Sequence, residues 1–197
     1  MISLCLGVAA FVLYFIYDVN SFLWQKRFPR MFFTAGTLLL AAALALDAIA
    51  ACVQGAFSGA ADWLLLSVAA AGFAALVYSL FFALPFEETY KTQENGRCVY
   101  DKGVYALCRH PGILFFFLTM LALGLAALPY AGLLARGMIF SALNLGYAAF
   151  QDRITFPRTF VDYSSYRHHA PFLIPTKESI RLARQTLRHT DDEEANT

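Results

Sequence analysis

A group of residues able to bind an anion stands immediately before a long apolar run. The stretch Gly103–Pro111 reads GVYALCRHP and ends in Arg109, His110 and Pro111. Proline suits the first position of a helix, where no backbone N–H is needed, and His110 before it is biased toward an extended backbone. The free N–H groups of such a helix start, with Arg109 beside them, would bind a carboxylate or phosphate. A helix start with incidental charge is the alternative interpretation.

A second polar group lies where the last apolar run ends. Asn144 and Tyr147 are three residues apart and share a helix face, which leads to Gln151 and Asp152. A polar stripe of this kind is typical of a semi-buried pocket. For Asn144 taken alone, interhelical hydrogen bonding is the alternative explanation.

The composition is that of a membrane protein. Of the 197 residues, 59% are apolar and only 15% are charged, whereas soluble domains have about 25% charged residues. The net charge is +1, and no basic stripe alternates with aromatic residues, so the sequence gives no indication of nucleic-acid binding. The four cysteines include no CxxC pair, so neither a disulfide framework nor a metal site is predicted.

Five apolar runs approach the roughly 20 residues that a transmembrane helix needs. The first is interrupted late by Asp18 and Asn20, and it has the features of an uncleaved span rather than a signal peptide. We therefore predict an all-α integral membrane protein with about five transmembrane helices and a cytoplasmic C-terminal cofactor-binding segment. The last two spans should form an antiparallel hairpin, and Pro129 should end the fourth helix. The runs are Ile2–Trp24, Met31–Val53, Trp63–Phe86, Gly112–Leu128 and Ala131–Phe150.

Basic residues occur in alternate connections between these runs. Lys26, Arg27 and Arg30 follow the first run, Lys91, Arg97 and Lys102 follow the third, and others follow the fifth. The positive-inside rule then predicts a multi-pass protein with its N-terminus outside and its C-terminus in the cytoplasm. A bacterial inner membrane or an endoplasmic-reticulum-like membrane fits this prediction.

The same features divide the chain into three parts. Residues 1–86 hold three spans, 87–175 hold the polar motifs and the hairpin, and 176–197 hold a basic amphipathic helix and an acidic tail. Thr176 is the predicted N-cap of a helix over 176–189, with 191–197 as a frayed tail. Such a helix would either lie on an anionic leaflet or pack on the protein itself.

Two ionisable residues lie inside the predicted spans, at similar depths below the outer surface. Asp47 and Arg136 are each about 8–9 Å from it, at about 1.5 Å per residue. Ionisable groups at such depth usually pair or face a cavity. We predict a structural ion pair, and the alternative is an arginine that reaches outward alone.

Three elements together carry a resemblance to a known family. The segments GVYALCRHPG and QDRITFPRTFVDYSSYRHHAPFLIP, joined by an apolar hairpin, resemble the membrane methyltransferases of the isoprenylcysteine carboxyl methyltransferase type, to which phospholipid methyltransferases are similar. The resemblance covers about residues 95–175. The first family motif is complete here, at Gly103, Tyr105, Arg109, His110 and Pro111. The C-terminal motif is nearly complete, at Phe160, Tyr163, Tyr166, Pro171, Phe172, Ile174 and Pro175.

The chain departs from the family pattern at two places. The family usually has an aromatic residue soon after the Arg-His-Pro motif, where this chain has Gly112 and Ile113. The family ends its last helix with a pair of carboxylates, and Gln151 and Asp152 stand there in this chain. One carboxylate is therefore missing and the other is on a shorter side chain.

The resemblance implies methyl transfer from S-adenosylmethionine to a lipid or a lipid-modified, isoprenylcysteine-like acceptor. It implies that Arg109 binds an anionic group and that Arg109 and Asp152 are the catalytic residues. Tyr163 and Tyr166 would close the cytoplasmic side of the site, although an interfacial aromatic belt is the alternative for these tyrosines. The implied cofactor-binding residues are Gly103, Tyr105, Arg109, His110, Pro111, Gln151, Asp152, Tyr163 and Tyr166, with no metal ligand.

Two other functions are compatible with the same motifs. Membrane sterol and steroid reductases resemble this C-terminal architecture and bind NADPH, but the chain lacks their extra spans and a second basic cluster for a 2′-phosphate. A non-catalytic member of the fold is the other alternative, and the change at Gln151 and Asp152 is its main support.

Overall fold

The computed structural model describes residues 1–24, 26–84 and 97–194. Lys91 and the predicted end of the third span at 85–86 lie outside these residues, as do the last three residues of the predicted tail. Contacts divide the chain into two units, one made of 1–73 and 116–155 and the other of 74–115 and 156–197.

The apolar runs form helices, and the described residues contain no strand apart from one isolated bridge between Arg97 and Phe160. Within the part of the chain that the structure describes, four helical stretches are long and apolar enough to cross a membrane, which fits a multi-pass membrane protein. A fifth apolar helix, α5 (Pro111–Ala126), is shorter and has 16 residues. The long elements are α1 (Ile2–Val19), α2 (Phe32–Val53), α3 (Ala60–Val77), α5 (Pro111–Ala126) and α6 (Ala131–Phe150), with π-helical turns after α1 (Asn20–Trp24), α3 (Tyr78–Phe82) and α6 (Gln151–Thr155).

The predicted helix limits are close to the observed ones. Helix α6 spans the predicted residues, and α5 begins at Pro111 as its motif predicts. Helix α3 begins at Ala60, three residues before the predicted Trp63. The reason is local, because the Asp62 carboxylate accepts a hydrogen bond of 2.8 Å from the Gly59 N–H and so satisfies a donor at the helix start.

The first unit is held together by close helix packing over small residues. Helix α1 packs along α2, where Gly36 lies against the Tyr14 ring and the Tyr14 hydroxyl donates to Thr37 Oγ1 at 3.1 Å. Helices α5 and α6 meet through Gly124, whose position leaves no room for a side chain beside Leu134. The predicted hairpin of the last two apolar helices is confirmed. Small residues allow such close approach in membrane helices.

The ion pair inside the first unit forms as predicted. Arg136 Nη2 lies 2.7 Å from Asp47 Oδ1, and Arg136 Nε donates to Asp47 Oδ2 at 2.8 Å. Arg136 also donates to the Tyr130 hydroxyl and lies over the Tyr130 ring. The two charged side chains are 17% and 4% exposed. The prediction is confirmed, and the alternative of a lone outward-reaching arginine is wrong.

The second unit consists of shorter helices around an aromatic core. Its core holds Tyr163, Tyr166 and Ala170, with Phe156 and Phe160 packed against them. The shorter helices are α4 (Val104–Leu107), α7 (Phe156–Thr159), α8 (Tyr163–His169) and the final α9 (Lys177–Glu194).

Helix α9 starts at the predicted cap and runs further than predicted. The Thr176 Oγ1 accepts from the Ser179 N–H at 3.2 Å, and Ser179 Oγ accepts from the Thr176 N–H at 2.9 Å. Ser179 and Ala183 are buried where α9 packs on α4, so one helix face packs on the protein itself. The prediction of a frayed tail from Asp191 is wrong as far as Glu194, because no glycine or proline breaks the helix.

Candidate functional site

The motif segment of the second unit begins with a turn that glycine favours. Gly103 has φ +58° and ψ −127°, a positive-φ backbone conformation that residues with a Cβ rarely adopt. Its N–H donates to Thr186 Oγ1 of α9 at 3.1 Å. The turn therefore fixes the start of α4, which carries Tyr105.

Tyr105 is hydrogen-bonded at both its polar ends. Its hydroxyl donates to the Ser79 carbonyl at 2.7 Å, and its own carbonyl accepts from the Tyr166 hydroxyl at 2.8 Å. Burial, and secondarily the nearby Cys108 thiol, raises the pKa of Tyr105 to about 12. Tyr105 is therefore a neutral phenol at physiological pH, and it links the motif segment to the aromatic core.

Arg109 joins the two segments that carry the family resemblance. Its backbone N–H donates to the Pro171 carbonyl at 2.9 Å, and its Nη1 donates to the Ala170 carbonyl at 2.5 Å and the Arg167 carbonyl at 3.3 Å. Its guanidinium also lies 5.8 Å from the centre of the Phe172 ring. The two carbonyls lie at the C-terminal end of α8, where a helix leaves acceptors without intrahelical donors. Arg109 thus caps α8, and its contact with an anionic ligand stays a prediction.

His110 lies among aromatic rings directly before α5. It is 7% exposed, its ring is nearly parallel to that of Phe156 with centroids 5.8 Å apart, and the Phe172 ring meets it edge-on at 5.0 Å. Pro111 then begins the helix. A Cβ at Gly112 would lie 3.5 Å from Leu76 and Ser79, which is ordinary van der Waals contact. The start of α5 is therefore closely packed at the place where the methyltransferases that the chain resembles have an aromatic residue.

Tyr163 and Tyr166 are buried in the aromatic core of the second unit. The Tyr163 ring meets Phe156 edge-on at 5.6 Å, and the Tyr163 and Tyr166 centroids are 6.0 Å apart. Burial is the main cause that raises the pKa of Tyr166. Both rings are packed by protein groups in this structure, and their assignment to a cofactor pocket stays a prediction.

Gln151 and Asp152 belong to the first unit, in the π-helical turn that follows α6. Asp152 is buried and Gln151 is half-buried. Turns of this kind are rare and often occur at functional sites. Tyr147, one turn earlier, is buried and stacks on Tyr14 with centroids 5.6 Å apart. Among the described residues, no group of three or more His, Cys, Asp or Glu side chains is placed to hold a metal ion.

Asp18 is a further buried polar residue of this region. It lies near the end of α1 and is 4% exposed, and its carboxyl group is within hydrogen-bonding reach of Gln151, Tyr147 and Thr155. Tyr147 thus takes part in a hydrogen bond between α6 and α1. An acidic residue inside an apolar run is a functional candidate by itself, and that is the signal that Asp18 carries in the sequence.

Asn20 fixes the chain just after Asp18. Its Nδ2 donates to the Lys26 carbonyl and its Oδ1 accepts from the Lys26 N–H, both at 2.9 Å. The side chain is almost fully buried. The two polar residues that interrupt the first apolar run therefore have separate roles. Asn20 fixes the chain that follows α1, and Asp18 faces α6 and the turn after it.

Comparison with known proteins found no match. No protein-family model, no curated protein and no solved structure matches the chain. The resemblance to membrane methyltransferases therefore rests on the motif residues themselves.

Proposed function

We propose that the protein is an integral membrane methyltransferase that uses S-adenosylmethionine and acts on a lipid or lipid-modified acceptor. The observation that supports it most is the pairing of the two motif segments in the second unit. Arg109 and Tyr105 of the first motif are hydrogen-bonded to residues 166–171 of the second. Motif residues far apart in sequence are in contact, as they would be if they served one site.

The proposed reaction does not require a strong acid or base catalyst from the protein. S-adenosylmethionine, when bound, supplies a methyl group on a sulfonium that is already activated for in-line displacement. The chain's own residues then bind and align the reactants and exclude water. Arg109 would bind an anionic group such as a carboxylate by charge-assisted hydrogen bonds. Asp152 and Gln151 would bind donor or cationic groups, and the buried Asp152 carboxylate of the first unit fits a cationic ligand.

The acceptor class and the orientation belong to the same proposal. Apolar helices suit an acceptor with a prenyl, acyl or sterol part that enters from the membrane. The alternating loop charges favour an orientation with the N-terminus outside and the motif residues on the cytoplasmic side. Helix α5, with 16 residues, would cross the membrane as a fifth span with little tilt, or would begin within the headgroup layer.

Ligand binding to the full chain, purified in detergent, tests the proposal. We expect S-adenosylmethionine to bind, and Arg109→Ala and Asp152→Asn to weaken that binding at least tenfold, or about 1.4 kcal/mol. Arg181→Ala removes an exposed arginine of α9 and serves as the matched control. Because Arg109 caps α8, Arg109→Lys and a thermal unfolding curve separate lost contact from lost folding.

Three outcomes would contradict the proposal in different ways. Tight binding of NADPH instead would favour the reductase relatives. Binding of neither ligand would favour a non-catalytic member of the fold. Binding of S-adenosylmethionine that is unchanged in both variants would mean that the site lies elsewhere. Transfer of a labelled methyl group into the lipid fraction of a membrane preparation then tests the acceptor class.

A further inference from the structure

The carboxylate of Asp18 is buried, and its known contacts do not complete its hydrogen bonding. Its side chain is reached by Tyr147, Gln151 and Thr155, which are all uncharged. Within the described residues, its Oδ2 atom has no hydrogen-bond partner. Asp47, a buried aspartate of α2, is instead held at both carboxylate oxygens by the guanidinium of Arg136, which also donates to the Tyr130 hydroxyl.

This difference matters because an incompletely bonded carboxylate in an apolar interior is unfavourable. Removing a carboxylate from water costs several kcal/mol unless a cation or several donors replace the water. Ionisable residues inside membrane helices usually face a partner or a ligand path. A group with an open acceptor at such a position is suited to receive a donor from a ligand, and a cationic donor suits it best.

The local backbone supports a binding role. Asp18 lies two residues before the π-helical turn Asn20–Trp24, and Gln151 is the first residue of the π-helical turn Gln151–Thr155. Both turns belong to the first unit, and the end of α1 contacts the second of them. Two rare turns around one buried carboxylate are a feature that packing alone does not require.

We infer that Asp18 binds a cationic group of the ligand and supplies the carboxylate that is missing at position 151. The identity of that cation rests on the proposed function, which makes it the sulfonium or amino group of S-adenosylmethionine. The Asp18 side chain extends from α1 toward residue 151, and the Gln151 side chain contacts the Asp18 carboxyl group. The acidic pair that the family carries on consecutive residues is thus shared between two helices in this chain.

A comparison of two ligands that differ in one charge tests the inference. S-adenosylhomocysteine lacks the methyl group and the positive sulfonium of S-adenosylmethionine. We expect the full chain in lipid nanodiscs to prefer S-adenosylmethionine. We expect Asp18→Asn to reduce that preference by about ten- to a hundredfold, the range of a hydrogen bond to a charged group. Asp62→Asn, which changes an aspartate at the start of α3, is the control and should keep the preference.

Moving the carboxylate separates a charge effect from a packing effect. The double variant Asp18→Asn/Gln151→Glu places the negative charge on the neighbouring side chain and should restore most of the preference. Should Asp18→Asn fail to fold, this double variant decides the question, since it keeps one carboxylate. A restored preference supports the inference, and a lost preference overturns it.

Failure of the inference and failure of the proposed function give different results. If the unmodified chain prefers S-adenosylmethionine and Asp18→Asn has the same preference, the inference is wrong and the proposed function stands. If the unmodified chain binds neither ligand, the proposed function is wrong and the assignment of the Asp18 partner is wrong with it.

Discussion

At the scale of single residues, two aspartates in apolar helices illustrate two uses of a buried charge. Asp47 has a complete partner in Arg136, which occupies both carboxylate oxygens. Asp18 has uncharged neighbours and one open oxygen among the described residues. A complete pair needs nothing from a ligand, whereas an incomplete one does. The first is therefore a folding feature and the second a binding candidate.

The Asp47 and Arg136 pair should be strongly coupled in folding. Asp47→Asn or Arg136→Met alone should lower the free energy of unfolding by about 3–5 kcal/mol, because each leaves a buried charge without its partner. The double variant should lose less than the sum, with a coupling of about 1–3 kcal/mol. Unfolding in mixed detergent, followed by circular dichroism, measures all four corners of the cycle. Strictly additive losses would contradict the pairing.

The stability of the second unit should fall at alkaline pH. Burial, the largest cause, raises the pKa of the Cys108 thiol from its ordinary 9.0 to about 11. The unfolded chain therefore releases this proton near pH 9, while the folded chain keeps it. The folded state binds more protons in this range, so stability is full below pH 9 and is lost as pH rises toward 11. Burial also raises the pKa of Tyr105 from 10.0 to about 12, so the loss of stability continues in the same direction at higher pH.

Thermal unfolding between pH 8 and pH 11 measures this effect. The unfolding midpoint should decrease with pH in the unmodified chain. Cys108→Ala, which removes the titrating thiol, should have a shallower decrease over pH 9–11 at a somewhat lower starting midpoint. Cys98→Ala changes a less buried cysteine and should keep the slope. A slope that is identical in all three proteins would show that Cys108 is not protected from ionisation.

At the scale of elements, the hairpin of α5 and α6 depends on a glycine at its closest approach. A Cβ at Gly124 would lie 2.7 Å from Leu134 Cα, so the backbone of α6 would have to shift. Gly124→Ala should therefore cost about 1–3 kcal/mol as overpacking. Gly146 lies in α6 with open space around its Cβ position. Gly146→Ala should be neutral or stabilise by up to about 1 kcal/mol, because alanine favours helix.

The two glycine variants form a matched pair that detergent unfolding compares directly. Both changes add one methyl group to a helix of the first unit, so a difference in sign isolates the effect of the helix contact. Equal effects at the two positions would contradict the close approach of α5 and α6.

The elements themselves could be predicted from the sequence, and most of their contacts could not. Apolar runs of membrane length and the prolines at Pro111 and Pro129 limit the helices to within a few residues. The pair Asp47–Arg136 was also predictable, because both residues lie at one depth. Asp18 was visible only as an interruption of a run. Its neighbour on α6 depends on how α1 packs, and the rotation of a helix that is apolar on every side leaves no trace in its sequence pattern.

The motif residues show the same limit. The spacing in Gly103–Pro111 predicts a helix start and an anion-binding arginine. It does not predict that Arg109 caps α8, because that contact joins residues about 60 positions apart. The burial of Tyr163 and Tyr166 was equally hidden, since tyrosines near a membrane suit an interfacial belt as well as a core.

At the scale of the whole molecule, the orientation in the membrane decides which compartment would supply the proposed cofactor. A cytoplasmic site requires the basic connections and α9 to be on the cytoplasmic side, and the connection between α2 and α3 to be outside. Ser58 lies in that connection and is exposed, and Gln185 is an exposed residue of α9. Cysteines placed at these two positions should therefore react from opposite sides.

Labelling with a membrane-impermeant maleimide tests the orientation. Ser58→Cys should be labelled on intact cells, and Gln185→Cys only after permeabilisation, in a chain whose Cys5, Cys52 and Cys98 are replaced by serine. Cys108 can remain, because its buried thiol stays protonated at the neutral pH of the reaction. Labelling of Gln185→Cys on intact cells would contradict the positive-inside assignment. It would also expose the motif segment to a compartment without S-adenosylmethionine, so the proposed function depends on the same result.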